Sequence, residues 1–299
     1  MKITILSYYD WAGSGFKLYQ AIAKHTKHDV MFFSEQYNVP FNHPHNTNYI
    51  SDDIIKVQDR IDASDIIHIK GDWPPEYIEH ITGLIVTHKP LVQTVSGSHF
   101  RKKEFGGRET FKPFMFNSCT LRTSLEPDLL YPEYDGILTP YPIDSTSKPN
   151  IWKQKDTPVF SHFPSSSTTK GSSFILKVFE EMTEKMKFDL ILSNTMVDFK
   201  EAMKYKLGST VYFDQFKVGA YGNAAVEMMQ YGIPVACWLN EPADNPIITT
   251  DLDVDKWVDM LLDLGDLDKL SKETKTYCDE IHSFEAVARQ WDKLYKDLC

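Results

Sequence analysis

Short apolar runs rich in β-branched and aromatic residues recur along this chain, and segments with helical periodicity separate most of them. Eight such runs lie at 3–8, 30–34, 66–69, 91–95, 159–163, 190–192, 210–213 and 234–238. A chain that alternates strands with helices is restricted to parallel sheets covered by helices. The sequence therefore predicts an α/β fold built on parallel sheets.

The domain organisation follows from chain length and from one proline-rich stretch. With 299 residues, of which 42% are hydrophobic, the chain is long enough for two domains. Residues 139–158 contain four prolines among polar residues, and a new strand–helix cycle starts directly after them. We therefore predict an N-terminal domain at 1–150, a second domain at 151–282 and a final helix at 283–299. That helix carries Phe284, Val287, Trp291 and Tyr295 at helical spacing, so its apolar face must pack on another element.

Charge and cysteine content exclude several classes of protein. A net charge of −10 disfavours a protein whose main task is coating nucleic acid. The four cysteines, Cys119, Cys237, Cys278 and Cys299, lack the spacing of a metal site or a disulfide framework and are interpreted as structural thiols. No apolar run approaches the roughly 20 residues that cross a bilayer, and the first ten residues do not form a signal peptide. We expect a cytoplasmic protein.

The segment 214–241 joins a helix that begins after a glycine to a Gly-Ile-Pro turn and a buried strand. Gly222 lets the backbone approach an anion, and the amides of Asn223, Ala224 and Ala225 would be unpaired at the start of the helix. Glu227 lies about one and a half turns into that helix, where its carboxylate can accept two ribose hydroxyls. This arrangement is typical of a nucleotide site.

Several motifs, taken in their order and spacing, resemble the glycosyltransferases of family 4, which have the GT-B fold. They are Gly13-Ser14-Gly15, the run from Ser96 to Arg101, the run from Thr139 to Asp144, His162-Phe163-Pro164 followed by Lys170-Gly171, Asp214-Gln215, Tyr221-Gly222, and Glu227 with Gly232-Ile233-Pro234. The resemblance covers most of the chain. It implies two Rossmann-like domains whose parallel sheets face each other across a cleft, with the last helix crossing back to the first domain. In that fold the N-terminal domain binds the acceptor and the second domain binds the nucleotide-sugar donor.

The resemblance also implies a set of donor-binding residues. Lys170 would neutralise the β-phosphate and stabilise the leaving diphosphate. The other donor contacts would be Gly171, Tyr221, Gly222, Asn223, Ala224 and Glu227. In the family a loop at the position of Gly13, Ser14 and Gly15 lies against the donor diphosphate or the acceptor. A tight strand-to-helix turn is the alternative interpretation of that loop.

Two positions depart from the family pattern. Ser165 stands where many relatives have an arginine, which leaves a hydroxyl cluster that includes Ser166 and can donate hydrogen bonds without charge. Gly219 stands at the first of the family's paired acids, the one that tends to contact the transferred sugar. These departures concern donor affinity and the identity of the sugar.

Candidates for acceptor chemistry follow two strands of the first domain. His99 follows Ser96-Gly97-Ser98, and Asp72 follows Ile69-Lys70-Gly71, so either side chain is a candidate acceptor for the proton of the attacking hydroxyl. A structural histidine is the alternative for His99, and His68 is interpreted as a core residue. The loop at 99–112 interleaves basic and aromatic residues. Ser98, Arg101, Lys102 and Arg108 are the predicted acceptor contacts, and a solvated loop is the alternative.

The sequence thus predicts a hexosyl- or pentosyltransferase that uses a nucleoside diphosphate sugar, such as a UDP- or GDP-sugar. The resemblance implies retention of anomeric configuration, with no obligatory metal or other cofactor. The acceptor would be a glycan or other small molecule, and the basic loop at 99–112 adds a modified nucleic-acid base as a candidate. Two alternatives remain: a nucleotide-sugar-binding module that has lost transfer, suggested by Gly219 and Ser165, and a sugar-nucleotide epimerase on the same fold.

Overall fold

A computed structural model of the protein describes residues 1–35, 48–97, 99–103, 107–193, 197–241 and 244–299. The chain forms two compact units. The first unit contains Met1–Pro142 together with Phe284–Cys299, and the second contains Ile143–Ser283. The final helix therefore belongs to the first unit, although it follows the second in sequence.

The first unit is built on a six-stranded sheet in the order β2-β1-β3-β4-β5-β6. Its strands are β1 (Lys2–Ser7), β2 (Asp29–Ser34), β3 (Ile66–Lys70), β4 (Leu91–Val95), β5 (Leu121–Ser124) and β6 (Ile137–Leu138). Every adjacent pair is parallel. The first four strands confirm the predicted runs. The sequence pattern does not predict β5 and β6, because β5 is short and half polar and β6 has two residues, both exposed.

Helices cover this sheet, and the C-terminal helix completes its core. The helices are α1 (Ser14–His25), α2 (Ile54–Asp62), α3 (Pro75–Thr82) and the C-terminal helix (Phe284–Lys296). Val287, Trp291 and Tyr295 of the C-terminal helix are buried in a cluster with Ile3 and Ile22. Full burial of side chains this large stabilises the unit by about 2 kcal/mol each. The predicted return of the last helix to the first domain is confirmed.

His68 lies in the centre of this core, as predicted. Its Nδ1 is 2.6 Å from the hydroxyl of Tyr295, and its Nε2 is 2.7 Å from Oγ1 of Thr94. Burial lowers the pKa of His68 to about 3. The imidazole is therefore a neutral hydrogen-bonding group that links the sheet to the C-terminal helix.

The second unit has a four-stranded parallel sheet in the order β10-β9-β7-β8. Its strands are β7 (Val159–His162), β8 (Asp189–Leu192), β9 (Val211–Phe213) and β10 (Val235–Ala236). Its helices are α4 (Ser167–Lys170), α5 (Ser172–Met182), α6 (Phe199–Lys206), α7 (Asn223–Met229), α8 (Val254–Leu262) and α9 (Leu267–Tyr277). Ile175, Phe179 and Met182 form the buried face of α5 and pack in the core of this unit.

The three cysteines Cys119, Cys237 and Cys278 are buried and Cys299 is exposed, and all four are free thiols. Burial raises the pKa of Cys119 and of Cys278 to about 12. The buried thiols are therefore protonated and unreactive, in line with the predicted structural role. Within the described ranges, no helix is long and apolar enough to cross a membrane.

Candidate functional site

Three residues that are distant in sequence meet at the carboxyl edge of the second unit's sheet. Lys170 ends α4 after β7, Asp214 directly follows β9, and Gly222 directly precedes α7. Nζ of Lys170 lies 2.6 Å from Oδ1 of Asp214, and Oδ2 of Asp214 accepts the Gly222 N–H at 2.6 Å. The Asp214 side chain is fully buried, whereas that of Lys170 remains 14% exposed. Asp214 therefore holds a partly accessible ammonium beside the start of α7.

The backbone around Lys170 is fixed by the loop that follows β9. The N–H of Phe216 donates to the carbonyl of Lys170 at 2.9 Å. Gly171 has a φ of +70°, and a Cβ at this position would lie 3.0 Å from the Phe216 carbonyl. Glycine is therefore required here both by conformation and by the close approach of the two loops.

Gly222 leaves space beside the ammonium. A Cβ on Gly222 would lie 3.3 Å from Nζ of Lys170 and 3.5 Å from Oδ2 of Asp214. The φ of Gly222 is −111°, which other residues also adopt, so the requirement for glycine is one of space. An anion that contacts this ammonium would lie against bare backbone. The predicted unpaired amide of Ala225 is not found, because its N–H donates to the Gly222 carbonyl at 3.1 Å, and Asp214 accepts the Gly222 N–H. The Lys170 ammonium is the group here that is suited to a phosphate.

Glu227 lies on α7 and is only 2% exposed. Its Oε1 accepts from Nδ2 of Asn223 at 2.7 Å, and its Oε2 is 3.9 Å from Nζ of Lys206. The Lys206 ammonium also lies over the rings of Phe163 and Tyr212, at 5.9 and 5.3 Å from their centroids. Glu227 is thus a buried carboxylate with an amide and a cation as partners. Its predicted contact with ribose hydroxyls remains a prediction.

A cavity of about 410 Å³ lies at the end of β8, beside this cluster. It is lined by Phe163, Ile191, Leu192, Ser193, Val197, Asp198, Glu201 and Tyr205. The rings of Phe163 and Tyr205 are nearly parallel, with centroids 6.2 Å apart. A larger cavity of about 730 Å³ lies where α5 ends and β8 begins. None of the described predicted site residues lines either cavity. Phe163, over whose ring the Lys206 ammonium lies, connects the smaller cavity to Glu227.

The remaining predicted donor residues have local structural partners. Ser166 caps α4 by accepting the Thr169 N–H at 3.3 Å, and Ser165 is exposed. The hydroxyl of Tyr221 lies 2.9 Å from that of Tyr277 and 3.1 Å from Nε2 of His282. Burial raises the pKa of Tyr221 well above its ordinary value. Ser166 and Tyr221 thus make hydrogen bonds within the second unit. The predicted contacts of Ser165, Ser166 and Tyr221 with a donor remain predictions.

The glycine at position 219 has a steric cause. Its φ is +80°, and a Cβ there would lie 2.8 Å from Cβ of Asn240. The N–H of Asn240 donates to the carbonyl of Gly219 at 2.9 Å, which holds the two segments together. An acidic side chain at this position would require the backbone of both segments to shift.

The Gly13-Ser14-Gly15 loop of the first unit is organised by Asp10. The carboxylate of Asp10 accepts the N–H of Gly15 at 2.6 Å and that of Phe16 at 3.0 Å. Burial raises the pKa of Asp10, and those two N–H bonds act in the opposite direction. Gly13 has a φ of +64°, and a Cβ on Gly15 would lie 3.0 Å from Oδ1 of Asp10. Both glycines have structural causes, and Asp10 occupies the amides of Gly15 and Phe16, as a tight turn requires. The contact of Gly13, Ser14 and Gly15 with a donor or acceptor stays a prediction.

The structure brings the two candidate proton acceptors, Asp72 and His99, together. Oδ2 of Asp72 accepts the backbone N–H of His99 at 2.6 Å, and burial raises the pKa of Asp72. The imidazole of His99 lies 3.2 Å from Oγ1 of Thr110 and 3.1 Å from Nη1 of Arg108. The Asp72 carboxylate therefore fixes the loop that carries His99.

Arg101 departs from its predicted role. It is buried, and its guanidinium pairs with Glu126 and, at 2.6 Å, with Asp128. Because both acids engage its guanidinium, Arg101 is neither the predicted acceptor contact nor part of a solvated loop. The ammonium of Lys102 lies over the ring of Tyr131, 5.1 Å from its centroid. The predicted acceptor residue Ser98 lies outside the described residues.

Lys70 was not among the predicted site residues. It is buried at the end of β3, and its Nζ donates to Oγ of Ser96 at 2.7 Å. Burial lowers the pKa of Lys70 to about 8, while Asp10 raises it. A lysine that ends an otherwise apolar strand is the signal that could have identified it.

In the described part of the chain, no group of three or more His, Cys, Asp or Glu side chains is arranged to hold a metal ion.

Two parallel α/β units, with the last helix returned to the first unit, form the GT-B fold that the sequence analysis expected. No protein-family model matches the chain, and a search of the curated proteins finds no match. Among solved structures, Anabaena HepE in complex with UDP and glucose has a TM-score of 0.62, with 11% identity over 99% of both chains. AviGT4, a glycosyltransferase involved in avilamycin A biosynthesis, has a TM-score of 0.54, with 11% identity over 100% of this chain and 98% of that one. The UDP-GlcNAc 2-epimerase of Methanocaldococcus jannaschii has a TM-score of 0.53, with 11% identity over 99% of this chain and 100% of that one.

Proposed function

We propose that this protein is a glycosyltransferase that transfers a hexosyl or pentosyl group from a nucleoside diphosphate sugar to an acceptor hydroxyl. The observation that carries the proposal is the contact of Lys170, Asp214 and Gly222 at the carboxyl edge of the second sheet. In open α/β sheets this edge is where ligands bind. The GT-B fold and the likeness to a glycosyltransferase and to a UDP complex support the proposal.

The proposed role of Lys170 is to neutralise the diphosphate of the donor. When the bond between the sugar and the diphosphate breaks, negative charge develops on the departing phosphate oxygen. A fixed ammonium stabilises that charge without reorganisation. Asp214 would act as a positioning residue, because it holds the ammonium and the Gly222 N–H with its two oxygens. We propose retention of configuration and a reaction without an obligatory metal.

The nucleoside would lie between Glu227 and the cavity at the end of β8. Lys206 connects the two places, since its ammonium is near Oε2 of Glu227 and over the ring of Phe163. Ribose hydroxyls would replace Asn223 and Lys206 as partners of the Glu227 carboxylate. The base would stack at the rings of Phe163 and Tyr205. We propose uridine as the nucleoside because HepE was crystallised with UDP, and GDP is the comparison to test.

The acceptor would be a glycan or another small molecule bound by the first unit. Asp72 and His99 are the proposed acceptors of its hydroxyl proton, and Lys102 and Arg108 are proposed contacts. The burial of Arg101 removes one cation from the basic loop, which weakens the case for a nucleic-acid acceptor. A nucleotide-sugar donor is consistent with the cytoplasmic location expected from the sequence.

A sugar-nucleotide epimerase is the second candidate function. Its support is the likeness to the UDP-GlcNAc 2-epimerase over nearly the whole of both chains. An epimerase would change the sugar of the donor in the absence of any acceptor. A third candidate, a binding module without turnover, is supported by the glycine at position 219 and the serine at position 165, where relatives carry charge.

The first experiment compares thermal unfolding with UDP, GDP and their sugars in the parent protein and in three variants. UDP at a hundredfold excess over its dissociation constant should stabilise the parent by about 3 kcal/mol. Lys170→Ala and Glu227→Gln should lose most of this stabilisation, whereas Lys177→Ala, an exposed lysine on α5, should retain it. The proposal fails if no nucleotide stabilises the protein, or if all three variants respond like the parent.

Product analysis then separates the candidate functions. Release of UDP that depends on an added acceptor supports the transferase. A changed sugar nucleotide without acceptor supports the epimerase instead. Nucleotide binding without either product supports the binding module.

A further inference from the structure

A group of aromatic rings at the carboxyl edge of the first unit's sheet is not used by the donor site. It consists of Tyr8, Tyr9, Trp73, Tyr77, His99 and Phe111, and we call it the aromatic surface. Trp73 contacts each of the other five rings, and centroid separations in the group run from 4.6 to 5.8 Å. The rings come from the loops after β1, β3 and β4 and from the first turn of α3. Three separate stretches of chain, at 8–9, 73–77 and 99–111, thus place their rings at one edge.

The outer rings of the aromatic surface are open to solvent. Tyr9 is 36% exposed and Tyr77 is 37% exposed, whereas Phe111 is buried beneath them. Exposed apolar area that is gathered at the ligand-binding edge of a parallel sheet indicates a binding site. Exposed aromatic area of this kind lowers the solubility of a protein unless a ligand covers it.

Polar groups border the aromatic surface on one side. The buried carboxylate of Asp72 precedes Trp73 in sequence and holds the His99 N–H. The imidazole of His99 is in turn 3.1 Å from Nη1 of Arg108. An apolar platform with a carboxylate, an imidazole and a guanidinium at its border combines stacking with hydrogen bonding.

Part of the positive charge of the loop at 99–112 is neutralised. Glu126 and Asp128 pair with the buried Arg101, and Glu109 pairs with Lys112, which leaves Lys102, Lys103 and Arg108 as exposed cations. The whole chain has a net charge of −10. Single-stranded nucleic acid needs a basic groove in addition to stacking rings. A sugar ring, in contrast, has an apolar C–H face for stacking and hydroxyls for the polar border, and it carries no charge.

We propose that the aromatic surface binds an uncharged pyranose ring, which stacks on Trp73 and Tyr77 and directs hydroxyls towards Asp72 and His99. The proposal rests on the proposed transferase function in one respect, because it identifies the acceptor class as a carbohydrate. Binding of the sugar itself needs neither a donor nor turnover. The two proposals can therefore fail separately.

The test is saturation-transfer NMR on the full chain with glucose, galactose, N-acetylglucosamine, maltose and cellobiose. Saturation should pass from the aromatic protons to the ring protons of at least one of these sugars. Tyr77→Ala should weaken that binding about tenfold, and Tyr77→Phe, which keeps the ring, should retain it. Phe114→Ala is the matched control, because Phe114 is 69% exposed in the same unit and lies outside the aromatic surface.

Several results would overturn the inference. The inference fails if none of the sugars receives saturation. It also fails if Tyr77→Ala binds the sugar as well as Phe114→Ala does. Binding of a single-stranded oligonucleotide that Tyr77→Ala abolishes would assign the surface to nucleic acid instead. UDP stabilisation measured on the same samples separates the two proposals: a response to UDP without sugar binding contradicts only this inference, and the reverse contradicts only the proposed donor site.

Discussion

Replacing Lys170 with methionine should affect folding and ligand binding by different amounts. The substitution keeps most of the aliphatic chain and removes the ammonium that lies 2.6 Å from Oδ1 of Asp214. Of its two contacts, the fully buried Asp214 carboxylate would then lose the Lys170 ammonium and keep the Gly222 N–H. Removing one partner of a buried ion pair costs about 3–5 kcal/mol. The partial exposure of Lys170 places the expected loss of unfolding free energy near the lower limit, at about 3 kcal/mol.

A second substitution isolates the ion pair. Asp214→Asn removes the charge while its amide oxygen can still accept the Gly222 N–H. The double variant Lys170→Met/Asp214→Asn should therefore lose only about 1 kcal/mol relative to the parent, because no buried charge is left unpaired. The sum of the two single losses minus the loss in the double variant measures the coupling of the pair. With about 1 kcal/mol for Asp214→Asn, whose unpaired ammonium is partly exposed, we expect a coupling of about 3 kcal/mol.

The assay is urea unfolding of the four proteins with and without UDP. Asp214→Asn keeps the ammonium but loses the carboxylate that positions it, so it should lose only part of the UDP-dependent stabilisation. Both variants that contain Lys170→Met should bind UDP at least about tenfold more weakly. Two results would refute this reasoning. Lys170→Met could unfold at the urea midpoint of the parent, or UDP could stabilise all four proteins equally.

Two further predictions concern folding. Gly219→Ala should destabilise the protein by about 1–2 kcal/mol, because φ is +80° and the new Cβ would begin 2.8 Å from Cβ of Asn240. Gly208→Ala, whose Cβ would meet no atom closer than 3.4 Å, is the control in urea unfolding, and equal losses would contradict the steric argument. Lowering the pH from 7 to 5 should cost about 2 kcal/mol for each of His68 and His162. Burial lowers the pKa of His68 to about 3 and that of His162 to about 4, from 6.5 in the unfolded chain. Between those values and 6.5 the unfolded state binds more protons than the folded state, so stability falls as the pH falls. His162→Gln should reduce this pH dependence in urea unfolding, and an unchanged dependence would contradict it.

The sequence predicted the elements whose pattern of apolar side chains involves only residues that are close in the chain. Eight strands, the buried face of α5 and the apolar stripe of the C-terminal helix follow from residues that are close in the chain. The two missed strands, β5 and β6, are short and have polar or exposed side chains. Their place in the sheet is set by hydrogen bonds to distant strands, which leave no periodic signal in sequence.

The candidate donor site was only partly predictable. Lys170, Gly222 and Glu227 follow from local motifs and the resemblance that these motifs carry. Asp214 was recognised only as part of a motif, because its role depends on an ammonium 44 residues away in the chain. Lys206 gave no local signal, since it joins Glu227 to an aromatic ring through contacts between separate elements.

The sequence by itself determined where eight of the ten described strands form, because hydrophobic periodicity and turn chemistry act between neighbouring residues. Only the tertiary structure decided which charged and polar groups are left for a ligand. Asp10 occupies the amides of the Gly13–Gly15 loop, and two acids neutralise Arg101, whereas Lys170 keeps part of its ammonium accessible. Hydrogen bonds and ion pairs of this kind join residues far apart in the chain, so their partners are fixed only when the packed units bring them within a few ångströms.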